Sequence, residues 1–225
     1  MLTRENLKNG FLQDYVRHHD PTARVLDEHE LAASIEATLA SRPSGAGGLR
    51  VFGYGSLIWN PAFHFNDRVV GRIWGWHRRF CLWVRAGRGT PENPGLMLAL
   101  EAGGSTRGLV YGIDDAAAEE ELLIIWRREM VTAAYRPIWV TAHTDAGPVP
   151  AITFVINRRH DRYAGLLPED RVVETCASAC GALGGCAEYL FNTVEHLEEM
   201  GLPDRHLAQL RDQVAARMRQ LGCAP

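Results

Sequence analysis

The order of segments along the chain predicts an α+β architecture. Strand-like runs fill residues 49–157, one helical stretch interrupts them, and the last third is helical throughout. Such a mixture of strands and segregated helices is the signature of that class. The chain has 225 residues, 46% hydrophobic and 23% charged, with a formal net charge of −3. That length supports one substantial core. The composition is ordinary for a globular protein.

The first ~45 residues read as helical. Asp27 has the position of an N-cap, Glu30 that of the returning acceptor, and Leu26 and Leu31 stand at staple spacing around the cap. This helix should run to about Ser41 and stop before Arg42-Pro43. Ser44-Gly45-Ala46-Gly47-Gly48 is a short flexible joint. Residues 1–48 are therefore read as a helical N-terminal extension to a domain spanning 49–225.

From Leu49 the pattern changes. Arg50 to Tyr54 is a short strand running into a glycine-rich turn. Arg72 to Val84 is apolar and aromatic enough for one or two strands, broken at Gly75. Leu96–Glu101 and Arg107–Ile113 are expected to pair as a hairpin across Gly103-Gly104. A helix capped at Asp114 or Asp115 should end near Met130. Tyr135–His143 and Val149–Asn157 form another hairpin, turning at Asp145-Ala146-Gly147-Pro148. Three helices close the chain, at about 169–179, 187–200 and 204–221.

Several function classes are not expected. No run of ~20 apolar residues offers a membrane span. The first residues carry an early acid and no apolar stretch, unlike a secretory signal, so a cytoplasmic location is expected. The five cysteines are an odd number in a chain of this length and do not suggest a disulfide framework. Cys176, Cys180 and Cys186 cluster without a paired CxxC, so reduced, packed thiols are expected in place of a zinc site. Basic and aromatic residues interleave from Trp74 to Arg85. The run is short and the chain acidic, so no nucleic acid is expected as a partner. No hydrolase elbow or His-Glu-x-x-His motif is present. The sequence carries no signal for oligomeric state.

Two local features carry chemistry. Gly53-Tyr54-Gly55-Ser56-Leu57 ends a strand in a turn whose amides can form an anion-binding nest. As bare chemistry the signal is weak, and the pattern fits an ordinary tight turn better. It is neither a dinucleotide fingerprint nor a P-loop. The second feature is Glu129. Leu122, Ile125, Trp126 and Glu129 stand at i, i+3, i+4 and i+7, so a carboxylate shares an otherwise apolar helix face. Burial and the negative end of the helix dipole both raise its pKa, as suits a general base and acid. Pairing with Arg127, Arg128 or Arg136 is the alternative, and burial and pairing are compatible.

Val51-Phe52-Gly53-Tyr54-Gly55-Ser56-Leu57-Ile58-Trp59 resembles the signature strand and loop of the ChaC-like, glutathione-specific γ-glutamylcyclotransferases. Arg78-Arg79-Phe80, Arg88-Gly89-Thr90-Pro91, Pro94-Gly95, Arg128-Glu129, Tyr135-Arg136 and Glu188-Tyr189-Leu190 resemble that family as well. The resemblance covers about Arg50 to Met200. Cys186 departs from the pattern, which has Asn shortly before Glu-Tyr-Leu.

The resemblance implies a γ-glutamylcyclotransferase-like fold: a small mixed β-barrel surrounded by helices. It implies a lyase that converts glutathione to 5-oxoproline and cysteinylglycine, with Glu129 as catalytic acid–base. The substrate-binding residues implied are Gly53, Tyr54, Gly55, Ser56, Leu57, Ile58, Arg88 and Tyr135, with no cofactor and no metal. Two other readings stay open. One is a cyclotransferase for another γ-glutamyl amino acid or amine, the other a non-catalytic γ-glutamyl-binding module.

Overall fold

The computed structural model describes residues 2–223. Three helices come first: α1 (Arg4–Lys8), α2 (Phe11–His19) and α3 (Glu28–Ala40). The capping box starts α3 as the sequence predicts: Asp27 accepts the Glu30 N–H at 2.8 Å and Glu30 accepts the Asp27 N–H at 3.1 Å. Leu26 and Leu31 beside it are both buried.

Five strands follow: β1 (Leu49–Gly53), β2 (Asp67–Val84), β3 (Gly95–Ile113), β4 (Tyr135–Thr144) and β5 (Gly147–Ile156). They close into a barrel in the order β1-β3-β2-β4-β5, with an added β3–β5 pairing. The sheet is mixed, since β5 runs parallel to β1 and β3 while the other neighbours are antiparallel.

Two expectations about the strands need correction. Gly75 does not break β2, which begins at Asp67 and runs on for 18 residues. Gly103-Gly104 does not turn a hairpin, because β3 is one strand of 19 residues. The register passes from Trp74↔Ser105 to Trp76↔Ala102, so Gly75 faces Gly103 and Gly104 across an irregularity in the ladder. All three glycines take positive φ there. Such a local twist lets long strands curve around a barrel without ending them. A second register shift lies between Phe80 and Leu82, at Cys81.

The barrel interior is filled from all five strands by Phe52, Ile73, Leu100, Val110, Ala142, Ala151 and Val155. A larger apolar cluster joins the outer barrel face to the helices. Close approach is built into the wall. A Cβ on Gly108 would stand 2.3 Å from the Gly53 carbonyl oxygen.

Between β3 and β4 a 3-10 turn capped by Asp114 leads into α4 (Ala118–Glu129). The C-terminal part contains α5 (Glu169–Ser178), a two-residue ribbon of β6 (Cys180–Gly181) and β7 (Gly184–Gly185), then α6 (Cys186–Glu199) and α7 (Arg205–Gln220). All five cysteines are free. No helix among the described residues is long and apolar enough to cross a membrane.

The N-terminal helices bind the two ends of α4. Arg4 reaches Glu121 with bonds of 2.5 and 2.7 Å, and Glu121 is only 2% exposed. At the far end, Gln13 donates to the Arg127 carbonyl, and Arg127 donates to the Lys8 carbonyl and to Glu28. Asp20 pairs with Arg162 in a buried contact of 2.5 Å, and the Leu26 N–H donates to the Val131 carbonyl. Removing one member of a buried pair strands the other charge. Arg4→Ala is therefore expected to lower stability by about 3 kcal/mol, measured by urea unfolding. Adding Glu121→Gln should recover part of that loss, because the neutral amide no longer needs a cation.

Candidate active site

The residues with catalytic potential meet around the C-terminus of α4. A cavity of about 180 Å³ lies there. Tyr54, Gly55, Ser56, Leu57, Arg88, Glu129 and Tyr135 all line it. Gly53 and Ile58 stand behind that wall. Gly53 is the last residue of β1, and a Cβ on it would meet Leu57 and Tyr111 at 3.1 Å. The Ile58 side chain is buried in the core, and its N–H donates to the Gly55 carbonyl at 2.9 Å.

The glycine turn is fixed from several directions. The Tyr54 carbonyl accepts from the buried Arg78 Nε at 2.6 Å, and the Leu57 carbonyl accepts from the Tyr111 hydroxyl at 2.8 Å. The Asn60 N–H donates to the Ser56 carbonyl at 2.9 Å. The amides of Gly55, Ser56 and Leu57 have no hydrogen-bond partner among the described residues. They are the donors the turn offers to a ligand.

Glu129 is the last residue of α4. Its side chain is 13% exposed, on the cavity side, and Leu122, Ile125 and Trp126 of the same helix face are fully buried. Burial pushes its carboxyl pKa up, and the Arg128 guanidinium, with Nε at 3.3 Å from Oε1, pulls the other way without cancelling the rise. Burial and pairing thus coexist. Of the other two candidate partners, Arg127 is engaged by Glu28 and Arg136 is exposed. Arg128 also donates to the Asn60 carbonyl, which ties the helix end to the glycine turn.

Three tyrosines surround the carboxylate. Tyr54 donates to the Phe154 carbonyl at 2.9 Å and Tyr135 to the Leu98 carbonyl at 2.7 Å. The Tyr189 hydroxyl has no hydrogen-bond partner among the described residues, and Tyr189 lines the cavity. A Cβ on Gly55 would stand 2.9 Å from that oxygen. Burial first, and the Glu129 charge in addition, raise all three phenol pKa values, so these groups stay protonated and able to donate.

Arg88 lies over the Tyr189 ring at 5.4 Å and donates to the Gly185 carbonyl at 2.8 Å. Cys186 holds this region from below. Its thiol donates to the Arg88 carbonyl at 3.1 Å and its sulfur accepts the Leu96 N–H at 3.2 Å. The residue that departs from the family pattern therefore acts as a backbone clamp beneath Arg88. Burial raises its pKa to about 11, so it remains a thiol.

Sequence reasoning missed part of the wall. Tyr189 was visible only within the Glu188-Tyr189-Leu190 motif, and Arg128 only as a neighbour of Glu129. Leu2, Leu12 and Val16 of the N-terminal segment, and Arg162, also line the cavity and carry no sequence signal for that role. The basic aromatic run is divided by strand geometry. Arg78 and Phe80 are buried, whereas Trp74 is 61% exposed beneath Arg72. Among the described residues no group of three or more His, Cys, Asp or Glu is placed to hold a metal ion.

Comparison with known proteins agrees with this architecture. A glutathione-specific γ-glutamylcyclotransferase of Escherichia coli (strain K12) is 44% identical over 180 residues, covering 80% of this chain and 78% of that protein. Glutathione-specific γ-glutamylcyclotransferase 1 of Rattus norvegicus is 31% identical over 195 residues, covering 81% and 87%. The crystal structure of a glutathione-specific γ-glutamyl cyclotransferase from yeast superposes with a TM-score of 0.69 at 23% identity, over 75% of this chain and 96% of that one. That likeness establishes the γ-glutamylcyclotransferase-like fold. The family model described as ChaC-like protein matches residues 49–217, and with the similarity to the bacterial enzyme this shows that the chain belongs to the ChaC-like family.

Proposed function

We propose that the protein is a lyase that cleaves glutathione into 5-oxoproline and cysteinylglycine. The observation that carries this reading is the buried Glu129 carboxylate, which shares one cavity with the unpartnered amides of Gly55, Ser56 and Leu57. The relatives named for glutathione-specific γ-glutamylcyclotransferase activity supply the substrate.

In the proposed reaction the γ-glutamyl α-amine attacks its own γ-carbonyl carbon and closes a five-membered ring. The nucleophile is tethered, so holding the chain curled supplies much of the acceleration. The amine is protonated at neutral pH and must first lose a proton. Glu129 takes that proton and returns it to the amide nitrogen as the C–N bond to cysteinylglycine breaks; the second proton, shed by the attacking nitrogen as it becomes the lactam N–H, passes by the same carboxylate to the released amine, which leaves as its ammonium. The rise in its pKa brings it nearer neutrality, where one group serves in both directions. The turn amides and the Tyr189 hydroxyl are the donors for the γ-glutamyl carboxylate and the developing oxyanion. Arg88 and Tyr135 complete the wall. This chemistry uses this chain's own residues and a tethered nucleophile.

Residues 1–48 are proposed as an extension that serves the catalytic domain of 49–225 by supplying Leu2, Leu12 and Val16 to the cavity. A cytoplasmic location is proposed as well, supported by five unpaired cysteines, which suit a reducing compartment.

Glu129→Gln is expected to keep the fold and lower 5-oxoproline formation from glutathione by at least about 100-fold, measured by product chromatography. A folded variant with near-wild-type turnover refutes the role. γ-Glutamyl-alanine, assayed in parallel, identifies a broader cyclotransferase if it matches glutathione.

The active form of Glu129 is the carboxylate, so kcat/KM falls as pH drops through its raised pKa. The acid limb should lie above the ordinary carboxylate range, and Arg128→Gln should move it higher still by removing the opposing charge. Stability runs the opposite way. A raised pKa favours folding at low pH, and that contribution is lost as pH rises through the folded value. The melting temperature of Glu129→Gln relative to wild type should therefore increase with pH.

Gly55→Ala should raise KM for glutathione, because its Cβ crowds the Tyr189 hydroxyl. Combining it with Tyr189→Phe removes the clash, so the effects in the double variant should be less than additive. Strictly additive effects would show that the two residues do not meet in the enzyme's working state.

A further inference from the structure

A second hollow of about 190 Å³ adjoins the cavity, and the two share Thr132 and Arg162 in their walls. Its other walls include Arg85 at the end of the β2 hairpin and Arg24 of the N-terminal segment. Three guanidinium groups and one carboxylate, Asp161, therefore border one small space.

These cations are committed to different degrees. Arg162 is 7% exposed and bonded to Asp20 at 2.5 Å. Arg24 pairs with Glu30 at the surface. Arg85 has no hydrogen-bond or ion-pair partner among the described residues, yet it stands close enough to Arg162 for their charges to repel. Asp20 and Asp161 answer Arg162, so Arg85 is the guanidinium at this hollow that no carboxylate of the described residues pairs, and an anion beside it would supply the missing charge.

The substrate proposed above carries such an anion. Glutathione has an ammonium and a carboxylate on its γ-glutamyl end and a second carboxylate on glycine. Ring closure involves only the first end. The glycine carboxylate lies up to about 7 Å beyond the scissile amide, two residues of extended chain.

We propose that Arg85, with Arg162 and Arg24, forms a subsite for the terminal carboxylate of the cysteinylglycine portion. The inference rests on the cyclotransferase reading and adds what separates a tripeptide from shorter γ-glutamyl compounds. Arg24 lies outside the stretch matched by the family model, so the N-terminal segment supplies part of the selectivity. Arg85 acts here as a specificity residue, remote from the reacting atoms.

The test compares kcat/KM for glutathione with that for glutathione amidated at its glycine carboxylate, in wild type, Arg85→Gln and Arg85→Lys. Wild type should prefer the free acid. In Arg85→Gln that preference should fall about ten-fold, equivalent to roughly 1.4 kcal/mol, and Arg85→Lys should retain most of it by keeping the charge. Equal use of the two substrates by wild type, or an equal loss on both in Arg85→Gln, overturns the subsite while leaving the cyclotransferase reading intact. No 5-oxoproline from either substrate refutes that reading, and the subsite with it.

Discussion

The C-terminus of α4 is where the protein places an ionisable group against the direction of solvation. A carboxylate at a helix C-terminus faces the negative end of the helix dipole, and burial removes the water that would screen it. The chain tolerates this because Leu122, Ile125 and Trp126 anchor the helix face in the core and Arg128 answers the charge at 3.3 Å. The Arg128 side chain is only 7% exposed and donates to the Asn60 carbonyl. Its attraction therefore lessens the rise in the Glu129 pKa without abolishing it. A full surface salt bridge would leave an ordinary carboxylate, and no partner at all would make the charged form far costlier.

The same helix end organises the rest of the structure. Arg128 connects it to the glycine turn, Gln13 and Lys8 connect it to the N-terminal helices, and Leu26 bonds to Val131 just beyond it. These contacts come from segments far apart in sequence, so the cavity is assembled only when the tertiary structure is complete. The N-terminal helices then have two roles from one set of contacts. They satisfy polar groups around α4, and their segment brings Leu2, Leu12 and Val16 to the cavity wall.

Much of this was legible in the sequence, for identifiable reasons. The capping box of α3 and the i, i+3, i+4, i+7 face of α4 are local patterns, and local patterns survive folding unchanged. The interrupted reading of β2 and β3 failed because glycine marks a bulge and a turn alike. Only the facing strand, which sets Gly75 against Gly103 and Gly104, decides between them. Gly53 and Ile58 belonged to the right motif, yet its close packing directs one into the wall and the other into the core. Tyr189 and Arg162 reach the cavity from α6 and from the segment after β5, and no periodicity in either stretch signals a ligand. A hydrophobic residue such as Leu12 looks the same whether it covers a core or a substrate.

The distribution of charge around the cavity suits the base role proposed for Glu129. A cation placed beside it to bind a substrate carboxylate would also lower its pKa and weaken it as a base. Neutral donors avoid that conflict. The amides of Gly55, Ser56 and Leu57 and the protonated hydroxyl of Tyr189 can attract an anion without a formal charge. Arg88 is held on the Tyr189 ring and the Gly185 carbonyl, while Arg85 and Arg162 border the adjoining hollow. In the proposed reaction, neutral donors at the glycine turn would hold a substrate carboxylate without a further cation at Glu129, beside which Arg128 already stands. Glycine at position 55 fits the same arrangement, since a Cβ there would stand 2.9 Å from the Tyr189 hydroxyl and crowd the space between it and the turn amides.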